Sequence, residues 1–274
     1  MTDDQQVPQP ELQLPAIGAL PLTVAIIAKD EARHIGAALD SVAGLGAALV
    51  LLDERTRDHT AAVAMAHGAR LVAEPWRGFG AQRNRALELC ASEWVLFLDA
   101  DERVTPELRD EIIQVVESGV GSAGSSSIAG YWIPRYNQFF GRVLRGGGWY
   151  PDPQLRLLRR TQAHYDEARK VHEFAELDGR AETLHGHLLH LNIERLDELW
   201  HKQRAYAQQE AQTLFQSGRR ARWRNFVGAP AREFVRRYIT LGGWRDGAVG
   251  LLMCATLAYF EVVKFADLKH LERP

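Results

Sequence analysis

Apolar residues cluster in four short runs over the first hundred positions, at 22–28, 49–52, 69–73 and 94–98. None shows strict polar alternation, only Thr23 and Arg70 interrupt them, and each is followed directly by a polar residue. Such runs read as strands buried on both faces, as in a parallel sheet. Between them the apolar positions return at helical spacing, over residues 32–42, 60–67 and 81–90. Thr56 or Asp58 can cap the second of these helices. A fourth helix opens at Pro106 with Thr105 as its cap, because proline fits the first helical position, where an N–H would have no partner. Four alternations of strand and helix predict an α/β fold: an open, mostly parallel, Rossmann-like sheet with helices on both faces. From about Leu196 the strands stop and helical periodicity takes over, beginning with an amphipathic helix over 196–215.

Composition narrows this only a little. The 274 residues are 46% hydrophobic and 25% charged, enough for one sizeable core and a smaller appendage. A net charge of −2 argues against a chain that binds nucleic acid as a whole. Cys90 and Cys254 lie in apolar, helix-like contexts and offer neither a disulfide framework nor a zinc spacing, so a reducing cytoplasm is expected. Residues 1–20 have no basic leading segment and read as a flexible lead-in, not a signal peptide. The Gly/Ser-rich patch at 119–127 reads as a surface loop.

The fourth apolar run delivers Asp99, Asp101 and Glu102 directly after Leu98. Acids are rarely placed at the end of a buried strand without a partner. The first run ends at Lys29, Asp30 and Glu31, and the second at Asp53, Glu54 and Arg55. In open α/β sheets ligands bind beyond the carboxyl ends of the strands, so these acids are expected on one rim. A solvated strand end is the bland alternative. The sharper one is a divalent cation, Mn²⁺ or Mg²⁺, which takes one or two carboxylates and completes its shell with substrate phosphates. No glycine-rich phosphate loop follows the first strand, which argues against a dehydrogenase or an ATPase. A nucleotide whose phosphates are held through a metal is the expected ligand.

Several ordered segments sharpen the picture: Trp76 to Asn84, Leu98 to Glu102, Gly147 to Asp152 with Gln154 to Arg160, and Val171 to Glu173. Together they resemble family 2 glycosyltransferases of the GT-A fold, and most closely the branch of bacterial lipopolysaccharide-core β-glucosyltransferases. The resemblance runs from Leu22 to the C-terminus. It implies that Ala28, Lys29, Asp30, Glu31 and Asp53 hold the nucleobase, and that Gln82, Arg83 and Asn84 approach ribose and diphosphate. Asp99, Ala100 and Asp101 fall on the family's metal motif, and His190 on the place of a third ligand, with His185 and His187 as neighbours. Glu173 matches the acid that takes the acceptor's proton, with Asp152 in reserve. Gly147, Gly148, Trp149 and Tyr150 match a loop closing on donor and acceptor, where the aromatic faces suit a sugar. The segment from Asp53 to Asp58 departs from the family pattern, with Glu54 and Arg55 where small residues are usual.

The implied function is metal-dependent, inverting transfer from a nucleotide sugar, a UDP-sugar such as UDP-glucose, to a lipid-linked saccharide such as the inner core of lipopolysaccharide. Transfer to a polyprenyl phosphate, or nucleotide-sugar binding without catalysis, are the alternatives. The expected layout is a lead-in over 1–20, a GT-A catalytic domain over 21–195 and a helical, membrane-peripheral region over 196–274. In that last region seven arginines stand between Gly218 and Tyr238 against Glu233 alone, interleaved with Trp223, Phe226 and Phe234. Residues 248–260 carry no charge, a run short of the ~20 residues needed to span a bilayer. An anionic membrane surface on the cytoplasmic side, met through the segment from Arg219 to Arg237, is therefore expected.

Overall fold

The computed structural model describes residues 20–119, 128–168 and 174–272. The strands are β1 (Leu22–Ala28), β2 (Ala47–Asp53), β3 (Arg70–Glu74), β4 (Trp94–Phe97), β5 (Glu102–Val104), β6 (Ile128–Phe139), β7 (Arg142–Val143), β8 (Pro153–Arg159), β9 (Ala163–Tyr165), β10 (Ala175–Leu177), β11 (Arg180–Thr183) and β12 (Leu188–Ile193). The α-helices are α1 (Ile35–Ser41), α2 (Thr60–Ala66), α3 (Phe79–Leu89), α4 (Pro106–Gly119), α5 (Leu196–Gln216), α6 (Asn225–Phe234) and α7 (Gly247–Leu271). Two compact units form. The first takes residues up to Ile133 together with 155–186, and the second takes 134–154 with 187 onward.

The first unit is built on strands in the order β3-β2-β1-β4-β8. β1 runs parallel to β2 and β4, β2 is parallel to β3, and β8 is antiparallel to β4. The sheet is the mostly parallel, Rossmann-like one expected for a GT-A fold. β4 is buried at every position, which explains why its sequence shows no alternation. Ala25, Leu49, Leu51, Val95, Phe97 and Leu158 share one core with Ala86 and Leu87 of α3. Cys90 is a free, buried thiol in the same core, and burial pushes its pKa up to about 11. The chain order reverses between β1, which leads out to β2 and β3, and β4 on its other side. A crevice is expected beyond the carboxyl ends of strands at such a switch point.

Helix α1 is shorter than the expected 32–42, for a local reason. Asp30 adopts a left-handed backbone with φ +54. The next two N–H groups are taken by side chains, Glu31 N by Thr60 Oγ1 at 2.7 Å and Ala32 N by Asp58 Oδ2 at 2.9 Å. The turn at 30–34 is thereby fixed as a loop. Helix α4 starts as expected, with Leu108 N donating to Thr105 Oγ1 at 3.3 Å.

In the second unit, β12 pairs in parallel with β6 from Arg135 onward, and β7 pairs antiparallel with the end of β6. Helices α5, α6 and α7 pack beside them, joined by a short π-helical stretch, Val235–Thr240. Helix α7 has 25 residues, so it extends well past the charge-free run, about 37 Å at 1.5 Å per residue. By length and composition alone, Gly243–Leu271 is long and apolar enough to cross a membrane. Its second half carries charges that are matched on α5: Lys264 Nζ lies 3.0 Å from Glu210, and Asp267 pairs with Arg204.

Candidate active site

A cleft of about 350 Å³ opens at the ends of β1 and β2 in the first unit. Ile27, Ala28, Lys29, Glu31, Asp53 and Arg55 line it, with Trp76 and Phe79 at its side. The two aromatic rings meet edge to face at 4.7 Å, and both stay exposed. The structure therefore brings Ala28, Lys29, Glu31 and Asp53 together, four of the five residues that the resemblance assigns to the nucleobase. The fifth, Asp30, turns aside and accepts a bond from Arg57 N at 2.8 Å.

The altered segment after β2 forms a lock. Arg55 donates to Asp53 through its backbone N at 2.9 Å, its Nε at 3.0 Å and its guanidinium Nη2 at 2.7 Å. These bonds hold the Asp53 carboxyl down at about 2, below the usual range. Asp53 itself is buried, whereas the Arg55 side chain is half exposed. Sequence reasoning singled out Arg55 as a departure without anticipating this bond.

Acids gather beside the cleft. Glu31 is pushed up to about 7, first by burial and then by Asp101, Asp58, Asp99 and Asp30. Burial is the larger cause, and the four neighbouring carboxylates add to it. Asp99 and Glu102 share a counter-ion that sequence reasoning missed. Arg156 of β8, 4% exposed, donates to Asp99 through both terminal nitrogens and to Glu102 Oε1 at 3.0 Å. The other Glu102 oxygen, Oε2, accepts from Asp99 N at 3.0 Å. Burial works against the guanidinium charge, but Asp99 and Glu102 outweigh it, so the arginine pKa is raised. Ala100 is buried between the two acids of the motif.

Glu31, Asp99 and Asp101 would offer oxygens alone, the chemistry that suits a hard divalent cation. Among the described residues no group of three His, Cys, Asp or Glu side chains is arranged to hold an ion alone.

Helix α3 is preceded by Gly78, its N-cap residue, where φ is +105. Gln82 is buried, donating from Nε2 to Pro75 O at 2.7 Å, and among the described residues its Oε1 has no hydrogen-bond donor. The Arg83 guanidinium lies over the Tyr165 and Phe97 rings, at 5.3 and 5.9 Å from their centroids. Asn84 exchanges two bonds with the backbone of Tyr165: its Oδ1 accepts from N and its Nδ2 donates to O, both at 2.8 Å. Nδ2 also reaches Glu167 Oε1 at 3.0 Å. Arg85 pairs with Glu74 and Glu88. Glu173, with Val171 and His172, lies outside the described residues.

Apart from His185, the remaining residues singled out in the sequence belong to the second unit. Gly147 and Gly148 have φ +64 and +81, and a Cβ on Gly146 would meet Gly242 O at 2.2 Å. The loop is pinned at several points. Gly147 N donates to Leu241 O at 2.9 Å, Arg237 Nη1 donates to Gly147 O at 2.8 Å, and Asp246 accepts from Arg145 N and Gly146 N. Trp149 packs on Phe139 at 4.6 Å with the Arg237 guanidinium 5.3 Å from its ring. Its indole is therefore part of a packed cluster. Tyr150 lies near the stacked pair of Tyr136 and His187, whose centroids are 3.8 Å apart, and its hydroxyl meets His187 Nε2 at 3.1 Å.

Asp152 is surrounded by donors: Arg135 at 2.6 Å, Asn137 at 2.9 Å and Gln154 at 2.8 Å. Burial raises its pKa, but Asn137, Arg135 and Gln154 outweigh burial and lower it. A carboxylate held this way is a weak proton acceptor and a firm anchor. Asn137 also accepts from His190 Nδ1 across 2.7 Å, when that nitrogen carries the proton. His185 lies in the first unit, where its backbone N donates to Glu111.

Comparison with known proteins gives these residues a context. Across 263 residues, 92% of this chain and 93% of its relative, the chain is 31% identical to the lipopolysaccharide core biosynthesis glycosyltransferase LpsC of Rhizobium meliloti (strain 1021). It is 24% identical to an uncharacterized glycosyltransferase of Rickettsia prowazekii, over 89% of this chain and 86% of that one. Among solved structures, residues 1–349 of S. aureus TarS in complex with UDP superpose with a TM-score of 0.46 at 13% identity, covering 92% of this chain and 90% of that one. Residues 23–163, just over half of the chain, match the family described as Glycosyl transferase family 2. With that match and the LpsC relationship together, the chain belongs to glycosyltransferase family 2 and is a glycosyltransferase.

Proposed function

We propose that the chain moves a sugar from a UDP-sugar, with inversion, to a lipid-linked saccharide of the lipopolysaccharide core, at the inner face of the cytoplasmic membrane. The acceptor class is supported by LpsC, which is named for lipopolysaccharide core biosynthesis and aligns along nearly its whole length. The observation that carries the donor reading is the excess of carboxylates on Glu31, beside a cleft of nucleotide size at the switch point of the sheet.

In this reading the base lies against Trp76 and Phe79, with Lys29 and Asp53 at its edge. Gln82 Oε1, buried without a donor among the described residues, suits a ribose hydroxyl. Asp101, with Asp99, would hold a Mn²⁺ or Mg²⁺ ion, which when bound supplies Lewis-acid stabilisation of the nucleoside diphosphate leaving group. Arg156 fixes the Asp99 carboxylate in place, and Arg83 adds positive charge. Glu173 takes the proton from the acceptor hydroxyl, a contribution of ~10²–10⁴-fold. In the second unit, the loop from Gly147 to Tyr150 and Asp152 are assigned to acceptor handling. The arginines from Arg219 to Arg237 hold the chain to an anionic membrane.

A second reading, donor binding without transfer, is favoured by the Arg55 lock on Asp53. Thermal shift with Mn²⁺ and a panel of nucleotide sugars tests the first. A UDP-sugar stabilises the wild type, and Asp101→Ala abolishes the shift. An undiminished shift in that variant removes the metal assignment, and donor binding without turnover on any saccharide acceptor selects the second reading.

A further inference from the structure

A second cleft, of about 330 Å³, lies in the helical unit where α5 ends and α6 begins. Helix α5 stops at Gln216, and Gly218, with φ +73, turns the chain back. The six residues that follow bring Arg219, Arg220, Arg222 and Arg224 around the opening, and Asn225 opens α6 at its edge. The floor is apolar, made by Leu214 of α5 and by Phe265 and Leu268 of α7.

Four guanidiniums around one opening repel each other, and no ion pair is recorded for any of them among the described residues. Of the three other arginines in the segment, Arg236 and Arg237 both pair with Glu233. The one carboxylate recorded on the turn, Glu272, accepts from the backbone N of Ala221 at 2.6 Å. Asn225 Oδ1 accepts from Arg222 N at 2.9 Å, which fixes the turn that carries the arginines. The positive end of the α6 dipole adds to the potential. A cation-rich rim over a greasy floor suits an anion carried on an apolar stem, and guanidinium forks match phosphate oxygens. Two neighbours favour a lipid source: Trp223, between Arg222 and Arg224, is 83% exposed, and Val227 is 66% exposed.

We propose that this cleft binds the phosphomonoester head of a membrane lipid, so that the chain meets the bilayer through a site for phosphate. The proposal rests on the membrane reading above and goes further, because a diffuse basic face would respond only to surface charge.

The test uses the full chain and phosphatidylcholine vesicles of matched surface potential, carrying either phosphatidic acid, a phosphomonoester, or phosphatidylglycerol, a phosphodiester. The wild type is expected to partition at least tenfold better onto phosphatidic acid. Arg222→Gln abolishes that preference. Arg232→Gln, the same charge change outside the cleft, lowers binding to both vesicles by about fivefold, as ~1 kcal/mol per surface charge implies, and leaves the preference intact. Equal binding to the two lipids, or equal behaviour of the two variants, overturns the cleft and leaves the membrane reading standing. Absence of binding to every vesicle overturns both. If millimolar inorganic phosphate stabilises the chain and no lipid preference exists, the ligand is free phosphate and the lipid proposal fails. Cleft-dependent binding of a single-stranded RNA in place of vesicles refutes it as well.

Discussion

Replacing Arg156 by methionine removes one cation from beneath two carboxylates. The side chain is of similar length, so packing in β8 is largely kept. Glu102 is fully buried and Asp99 accepts both terminal nitrogens of the lost group. Leaving a buried carboxylate without its partner costs about 3–5 kcal/mol, far more than an exposed ion pair, whose usual value is below ~1 kcal/mol. With a urea m-value of ~2–3 kcal/mol/M, the midpoint should fall by roughly 1–2 M. Because the chain forms two units, the unfolding of the first is best followed alone, by hydrogen exchange of the β4 peptides against urea. Glu102→Gln added to Arg156→Met should recover at least ~1 kcal/mol, since the uncompensated charge is then gone. A loss below ~1 kcal/mol, or no recovery in the double variant, would refute the assignment of Arg156 as the counter-ion of the acidic motif.

Three further outcomes follow from the same structure. The Glu31 carboxyl is raised in the folded state to about 7 from an ordinary 4.5, so its contribution to stability is full below pH 4.5 and is lost as pH rises through 7. Glu31→Gln should therefore stabilise the chain at pH 8 by ~1 kcal/mol, an estimate reduced for its partial exposure, and make no difference at pH 4; urea midpoints at the two pH values check this. Asp246→Ala leaves the backbone N–H groups of Arg145 and Gly146 without their acceptor, at a cost of about 2–4 kcal/mol, read by thermal unfolding of the second unit. Glu173→Gln should lower transfer by ~10²–10⁴-fold while a UDP-sugar still produces a thermal shift, and unchanged turnover would instead point to an acceptor that needs no deprotonation, such as a phosphate.

The alternation of β1 to β4 with α1 to α4 was legible because buried strands leave apolar runs and helices leave a different period, whereas the short strands among β5 to β11 left no such run. The acids at the ends of β1, β2 and β4 were legible for the same reason, since each interrupts such a run. Arg156 was not. Its partners lie 54 and 57 positions earlier in the chain, and only the pairing of β8 with β4 brings them close. The signal existed in a weak form, as an arginine set among leucines in a strand. Trp149 shows the opposite failure. An aromatic after three glycines suggests an open platform, but the glycines serve the close approach of Gly242 and the positive φ angles, and the ring packs on Phe139. The length of α7 was masked by Glu261 and Lys264, whose charges end the apolar run without ending the helix, because they pair with each other and with Glu210.

Asn84 serves Tyr165 as a one-residue imitation of a neighbouring strand, meeting both the N–H and the C=O of the same residue. Among the described residues the β9–β10 ribbon has two strands, and an open flank of this kind is where a foreign chain can add itself. An amide closes that flank because it carries a donor and an acceptor side by side, and an aspartate of the same shape would present two acceptors to a carbonyl. Substitution at position 84 should therefore reveal itself first in the tendency of the protein to self-associate.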